Sequence, residues 1–219
     1  MTITAAADGS ALGNPGPAGW AWYVDESRWS AGGWKHATNN QGELKAVLEL
    51  FRATSHTGED LVILCDSQYV INCITKWMAG WKRKGWRKGD GKPVMNVDLL
   101  KEIDAAIVGR TYRFEWVKGH AGHPLNEAAD SRARAVSEAY ARGSSIPEGP
   151  GYPGAAATPA RSSEPTSSAE APSLFDLDAP EPEGRTLQLS LTGTEYDTLV
   201  SRARAAGVTP DRYLRSLLD

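Results

Sequence analysis

The sequence predicts an α/β fold, a mixed sheet with helices on its faces, and three observations carry that expectation. LVILC at 61–65 is an unbroken apolar run, as a strand covered on both faces would be. In NNQGELKAVLELFRAT, Leu44, Val47, Leu48 and Phe51 recur at helical spacing and form one apolar stripe. Strand-like and helix-like stretches then follow one another through residues 1–142 in the order βββαβααβα, which favours a sheet with helices packed on it.

Taken in order, residues 2–7 form a short strand that ends before Asp8. The stretches 18–24 and 29–34 carry aromatic and small residues and fit an antiparallel pair. The amphipathic helix of NNQGELKAVLELFRAT comes next, then the strand LVILC, then a helix over SQYVINCITKW. VDLLKEIDAAIV reads as a further helix, and TYRFEWV alternates as a strand. The long helix of PLNEAADSRARAVSEAYARG stops at Gly143, which suits the residue just past a helix end.

Composition divides the chain further. Eight of its 13 prolines fall in 143–183, with seven acids, one base and few large apolar residues. Such a stretch buries too little surface to offset its ordering entropy, so 143–183 is expected to be a disordered linker. One island interrupts it, Leu174, Phe175 and Leu177 in SLFDLD, which could dock on a protein partner or be a chance cluster. Residues 184–219 read as a small strand-helix-helix module. Leu187, Leu189 and Leu191 alternate with Thr186, Gln188 and Ser190, and Thr209-Pro210 supplies helix-start chemistry. About 35 residues make a poor solitary core, so this module is expected to form a homodimer.

Composition also excludes some classes. No run of about 18 apolar residues exists, so no membrane span is expected. The first residues, MTITAAADGS, lack a basic segment followed by an apolar core, and a cytoplasmic location is expected. Cys65 and Cys73 lie outside any zinc-ligand spacing and read as buried thiols in a reducing compartment. Residues 1–142 hold 18 Lys and Arg against 16 Asp and Glu, a mildly basic balance beside an acidic linker.

Four acids stand in unusual settings: Asp8 in DGSALGNPGPAGW, Glu43 in TNNQGEL, Asp66 in CDSQYV and Asp130 in KGHAGHPLNEAAD. Asp8 precedes a Gly/Pro-rich turn, where it could either serve a ligand or stabilise the turn. Asp66 lies just beyond the carboxyl end of a strand, where α/β folds bind ligands, and could also cap the next helix. Glu43 and Asp130 lie near helix N-termini, which favour acids in any case. Gathered in one place, the four would repel strongly unless hard cations sat between them. A two-metal phosphodiester site solves that electrostatic problem.

Two further features surround them. GHAGHP offers His120 and His123 on a glycine-containing loop, either suited to carrying a proton near neutral pH. TKWMAGWKRKGWRKGDGK at 75–92 has seven bases, one acid and three tryptophans. Basic charge attracts phosphates and aromatic faces offer a rigid surface, although the same tryptophans could pack on the core.

DGSALGNPGPAGW, TNNQGEL, CDSQYV and KGHAGHPLNEAAD together, in this order and spacing, resemble the type 1 ribonuclease H family over residues 1–142. The resemblance implies a mixed five-stranded sheet flanked by helices and an endonuclease that cuts the RNA strand of RNA–DNA hybrids. It assigns Asp8, Glu43, Asp66 and Asp130 as ligands of two Mg²⁺ ions, with Mn²⁺ a possible substitute, and selects His120 for proton transfer and product release. It implies 5′-phosphate and 3′-hydroxyl products. Asn14, Asn40 and Gln68 match positions that contact the hybrid's minor groove, and Thr38 and Asn39 match the approach to the DNA-strand phosphate. Trp81, Lys82, Arg83, Lys84, Arg87 and Lys88 match the family's basic protrusion. Residues 184–219 resemble a ribbon-helix-helix module in pattern, which leaves both dimerisation and DNA binding open.

The alternative is a catalytically weak hybrid- or DNA-binding regulator that works through its C-terminal module. Four intact acids argue against it, since binding alone does not need them.

Overall fold

The computed structural model describes residues 1–155, together with Thr198 and Arg202. The linker beyond Ala155, the Leu174–Leu177 island and the ribbon-helix-helix reading of 184–219 lie outside the described residues. The chain divides into two units, Met1–Ala171 and Pro172–Asp219, and the architecture below is that of the first.

Strands β1 (Thr2–Ala11), β2 (Gly16–Asp25) and β3 (Arg28–Ala37) form an antiparallel meander. Helix α1 (Asn39–Ala53) follows, then β4 (Asp60–Cys65), α2 (Gln68–Asn72) and a π-helical turn over Cys73–Trp77. Helices α3 (Met78–Arg83) and α4 (Val97–Ala106) lead to β5 (Tyr112–Trp116) and α5 (Pro124–Arg142). The sheet order is β3-β2-β1-β4-β5, with β4 parallel to both β1 and β5. This is the expected mixed five-stranded sheet.

The apolar run of β4 serves both faces. Leu61, Ile63 and Cys65 pack with Leu44, Val47, Leu48 and Phe51 of α1, while Val62 and Leu64 pack with Ala129 of α5. Alternate side chains point to opposite faces of a strand, so a continuous apolar run is what a doubly covered strand requires. Helix α1 starts at a complete capping box: the Thr38 hydroxyl accepts from Gln41 N–H, and the Gln41 side chain accepts from Thr38 N–H. Helix α5 ends at Gly143, whose φ of 67° is the left-handed conformation that glycine adopts without strain.

Four expectations are corrected. Strand β1 runs past residue 7 to Ala11, because β2 keeps pairing with it as far as Ala11↔Ala18. Asp8 therefore lies inside the strand, opposite Ala21. The helix expected over 67–77 is short, broken by the π turn, and resumes to Arg83. Ser67, not Asp66, caps α2, accepting from Val70 N–H.

The fourth correction concerns residues 143–155, assigned from composition to the linker. They instead run along the edge of β3. Ala31 N–H donates to Glu148 O, and Gly151 N–H to Trp29 O. Ile146 joins the cluster of Ala21, Ala31, Ala133 and Val136, and Tyr152 packs on Trp22 and His56. Two large side chains and a few edge hydrogen bonds suffice to hold a segment whose average composition reads as unstructured. They also cover part of an open sheet edge.

Candidate active site

The close approach of backbones that builds the site depends on glycine. A Cβ on Gly9 of β1 would overlap Glu43 N on α1, and one on Gly42 would lie 2.7 Å from Gly19 O on β2. Without side chains at Gly9 and Gly42, α1 settles directly on β1 and β2 and carries Glu43 to the side of Asp8. Asp66 enters from the end of β4, and Asp130 from the second turn of α5. One open cleft, with a volume of about 240 Å³, is lined by Asp8, Glu43, Asp66, Asp130, Asn39, His120, Ser10 and Arg134 among others.

The electrostatics are those of crowded acids. Burial, then the charges of Asp66 and Glu43, push the Asp8 carboxyl up to about 8. Burial raises Glu43 to about 7, with Asp66 adding to the rise and hydrogen bonds from Ser67 and Asn39 opposing it. Asp66 is also raised, chiefly by burial. Removing an acid from water and surrounding it with like charge both disfavour ionisation. Glu43 Oε1 accepts from Asn39 Nδ2 at 2.7 Å, while Oε2 is buried without a hydrogen bond of normal geometry.

This donor set fits a hard divalent cation. It is all oxygen, strongly acidic, and includes a buried oxygen, Glu43 Oε2, without a hydrogen bond of normal geometry. Among the described residues no three His, Cys, Asp or Glu side chains close into a ready-made cage. Mg²⁺ is content with such a site, since it keeps several waters and takes remaining ligands from a phosphate.

Of the two loop histidines, His120 lines the cleft, with Nδ1 3.7 Å from Asp130 Oδ2. His123 is the N-cap residue of α5 and does not line the cleft. Thr38 is committed to capping α1, and Asn14 lies next to it, its Oδ1 accepting from Asn39 N–H at 3.1 Å. Asn40 is on the first turn of α1, and exposed Gln68 opens α2. Neither lines the cleft.

The basic residues form a separate ridge on α3 and the loop after it. Lys82, Arg83, Lys84 and Arg87 are exposed, while Trp81 is half-buried and stacks obliquely on Trp77 at 5.7 Å. Lys82 is not free: its Nζ lies 2.6 Å from Asp104 Oδ2 on α4. Lys88 N–H is tied to Lys92 O, which with an Arg87–Pro93 bridge closes the loop into a small hairpin-like turn.

Three site residues escaped the sequence reading. Asn126 is buried, and its side-chain amide opposes the burial that raises the Asp66 carboxyl. Arg134 is the one lysine or arginine lining the cleft among the described residues. Asn126, Asp130 and Arg134 lie four apart on α5, so they share a helix face, and that spacing was the available signal. Ser10 also lines the cleft, its hydroxyl 3.4 Å from that of Ser137. Its position two residues after Asp8 on the same strand would have placed it on the same face.

Comparison with known proteins gives concordant results. A family model described as RNase H matches residues 1–138. Ribonuclease H of Tropheryma whipplei (strain Twist) is 55% identical over 150 residues, covering 68% of this chain and 93% of that protein. Ribonuclease H of Pectobacterium atrosepticum is 47% identical over 135 residues, covering 60% of this chain and 87% of that protein. The crystal structure of LC9-RNase H1, a type 1 RNase H with the type 2 active-site motif, superposes with a TM-score of 0.55. It is 30% identical and covers 64% of this chain and 74% of that one.

Proposed function

The chain belongs to the RNase H family and is a nuclease of the hydrolase class, and from that premise we propose that it cuts the RNA strand of RNA–DNA hybrids internally. The carrying observation is the cleft in which Asp8, Glu43, Asp66 and Asp130 meet. Products are a 5′-phosphate and a 3′-hydroxyl, from a two-metal mechanism. Asp8, Glu43, Asp66 and Asp130 would hold Mg²⁺, which when bound activates a water and stabilises the leaving oxygen. Mn²⁺ would substitute, having the same preference for oxygen ligands.

The chain's own residues do the rest. Burial and mutual repulsion keep the acids poised to give up protons when a cation arrives, so binding is stronger as pH rises. Asn39 holds Glu43 in one orientation, and the Asn126 amide favours the ionised form of Asp66. His120, exposed at the mouth of the cleft and beside Asp130, delivers a proton to the departing 3′ oxygen and helps release the product. Asn14, Asn40 and Gln68 read 2′-hydroxyls across the minor groove, which selects RNA with little sequence preference. Thr38 and Asn39, at the start of α1, receive a DNA-strand phosphate. The ridge of Trp81, Lys82, Arg83, Lys84, Arg87 and Lys88 attracts the duplex, with the salt dependence that phosphate binding brings.

No helix of the described residues is long and apolar enough to cross a membrane, and a cytoplasmic location suits a substrate of this kind. Residues 184–219 would pair two copies of the chain, and Leu174–Leu177 would dock on a protein partner. Both proposals rest on sequence alone.

The test is a gel assay with labelled hybrid, duplex DNA and duplex RNA, with and without EDTA, on wild type and Asp66→Asn. The expected result is cleavage of the hybrid's RNA strand only. It is abolished by EDTA and by Asp66→Asn, while hybrid binding persists. Hybrid left uncut by wild type in abundant Mg²⁺ would overturn the proposal in favour of a binding protein.

A further inference from the structure

Three of the four cleft acids have backbones fixed by regular structure: Asp8 within β1, Glu43 within α1 and Asp130 within α5. Asp66 is different. It and Ser67 form the two-residue gap between β4 and α2. The last main-chain bond of the β4–β5 edge is Val117 N–H to Cys65 O, and beyond it the two chains part. The next carbonyl, that of Asp66, takes its donor from a side chain: Trp116 Nε1–H donates to Asp66 O at 3.0 Å. The indole extends the pairing one residue past the end of the sheet.

Trp116 is otherwise hard to account for. It is 53% exposed on an edge strand, where a large aromatic side chain gains little from burial. Its neighbours along the same connection complete the cradle. A Cβ on Gly119 would overlap Asp66 Oδ2, and the Asn126 amide, on α5, opposes the burial that raises the Asp66 carboxyl. Trp116 fixes the main chain of Asp66, while Gly119 confines its side chain.

We propose that Trp116 is a positioning residue, acting through the Asp66 carbonyl to hold the Asp66 carboxylate in the orientation that receives Mg²⁺. This rests on the proposed function for its catalytic consequence, but the positioning itself is readable without any turnover. The indole N–H can only donate, and no other donor to that carbonyl is present among the described residues.

Trp116→Phe removes the N–H and keeps an aromatic ring, and Trp116→Leu removes both. Mg²⁺ affinity is measured by calorimetry on full-length protein. It should fall in both variants by about threefold to tenfold, the range expected for one hydrogen bond. In the hybrid assay kcat at fixed, subsaturating Mg²⁺ should fall to a similar degree while KM for hybrid stays unchanged. In proton–nitrogen spectra of the wild type, the indole signal lost in Trp116→Phe should shift as Mg²⁺ is added. Wild-type Mg²⁺ affinity in Trp116→Phe would overturn the proposal, and so would an indole signal indifferent to Mg²⁺. Loss confined to Trp116→Leu would overturn it too, because the ring and not the N–H would then matter. Wild type that binds Mg²⁺ but fails to cut hybrid would sink the proposed function and leave the positioning role standing.

Discussion

Asn39 and Glu43 stand one turn apart on α1, and the Asn39 side-chain amide donates to Glu43 Oε1 at 2.7 Å. The bond favours the ionised carboxylate and opposes the burial that raises it to about 7. Asn39→Ala should therefore push Glu43 higher still. The expected outcome is an acidic limb of the pH–rate profile moved upward by on the order of half to one unit. A limb that stays in place, with activity lowered uniformly, would assign Asn39 to substrate contact alone.

Stability of the metal-free protein should depend on pH in an unusual direction. Asp8 rises from 3.8 to about 8 on folding, and Glu43 from 4.5 to about 7. Between those values the folded protein binds more protons than the unfolded chain. Their contribution is thus fully present at low pH and lost as pH rises from about 4 to about 8. Urea midpoints in EDTA should decline across that window, and Mg²⁺ should restore them at the alkaline end. Asp8→Asn should flatten the decline while removing activity. A midpoint that climbs through the window in EDTA contradicts the electrostatic picture.

Asp66 Oδ2 lies in the space that an alanine side chain at position 119 would need. The Gly119 backbone is free of the left-handed conformation, so the only penalty of Gly119→Ala is the overlap with Asp66 Oδ2. The variant should fold with nearly unchanged circular dichroism and thermal midpoint. Its activity should fall by about tenfold to a hundredfold, as expected when catalytic geometry is displaced by about 1 Å. Full activity in Gly119→Ala would mean that the Asp66 carboxylate has room to turn.

Lys82 reaches Asp104 at 2.6 Å, so one cation of the basic ridge is already partnered. A hybrid phosphate must compete with that carboxylate. Asp104→Asn should tighten hybrid binding by about twofold to fivefold at low salt, because an exposed pair of this kind is worth less than about 1 kcal/mol. The slope of log affinity against log salt should steepen by up to about one. Filter binding at several salt concentrations would measure both, and weaker binding in this variant would place Lys82 outside the interface.

The α/β class, the buried strand at 61–65 and the helices α1 and α5 were legible because apolar period reports directly on which faces are covered. Local chemistry named the cleft acids too, since each stands in a distinctive string. What was not legible came from averages. Composition over 143–183 concealed Ile146 and Tyr152, which hold the first part of that stretch against β3. The strand containing Asp8 looked short because alanine and glycine carry little strand signal, yet pairing with β2 extends it.

Chemistry local to the chain determined the elements and the acids. Tertiary structure alone decided that Glu43 meets Asp8 across two backbones kept bare by glycine. It alone decided that an indole from β5 holds the main chain of Asp66. These relations join residues far apart in the chain. A sequence sets which contacts are chemically possible, and packing in three dimensions selects among them.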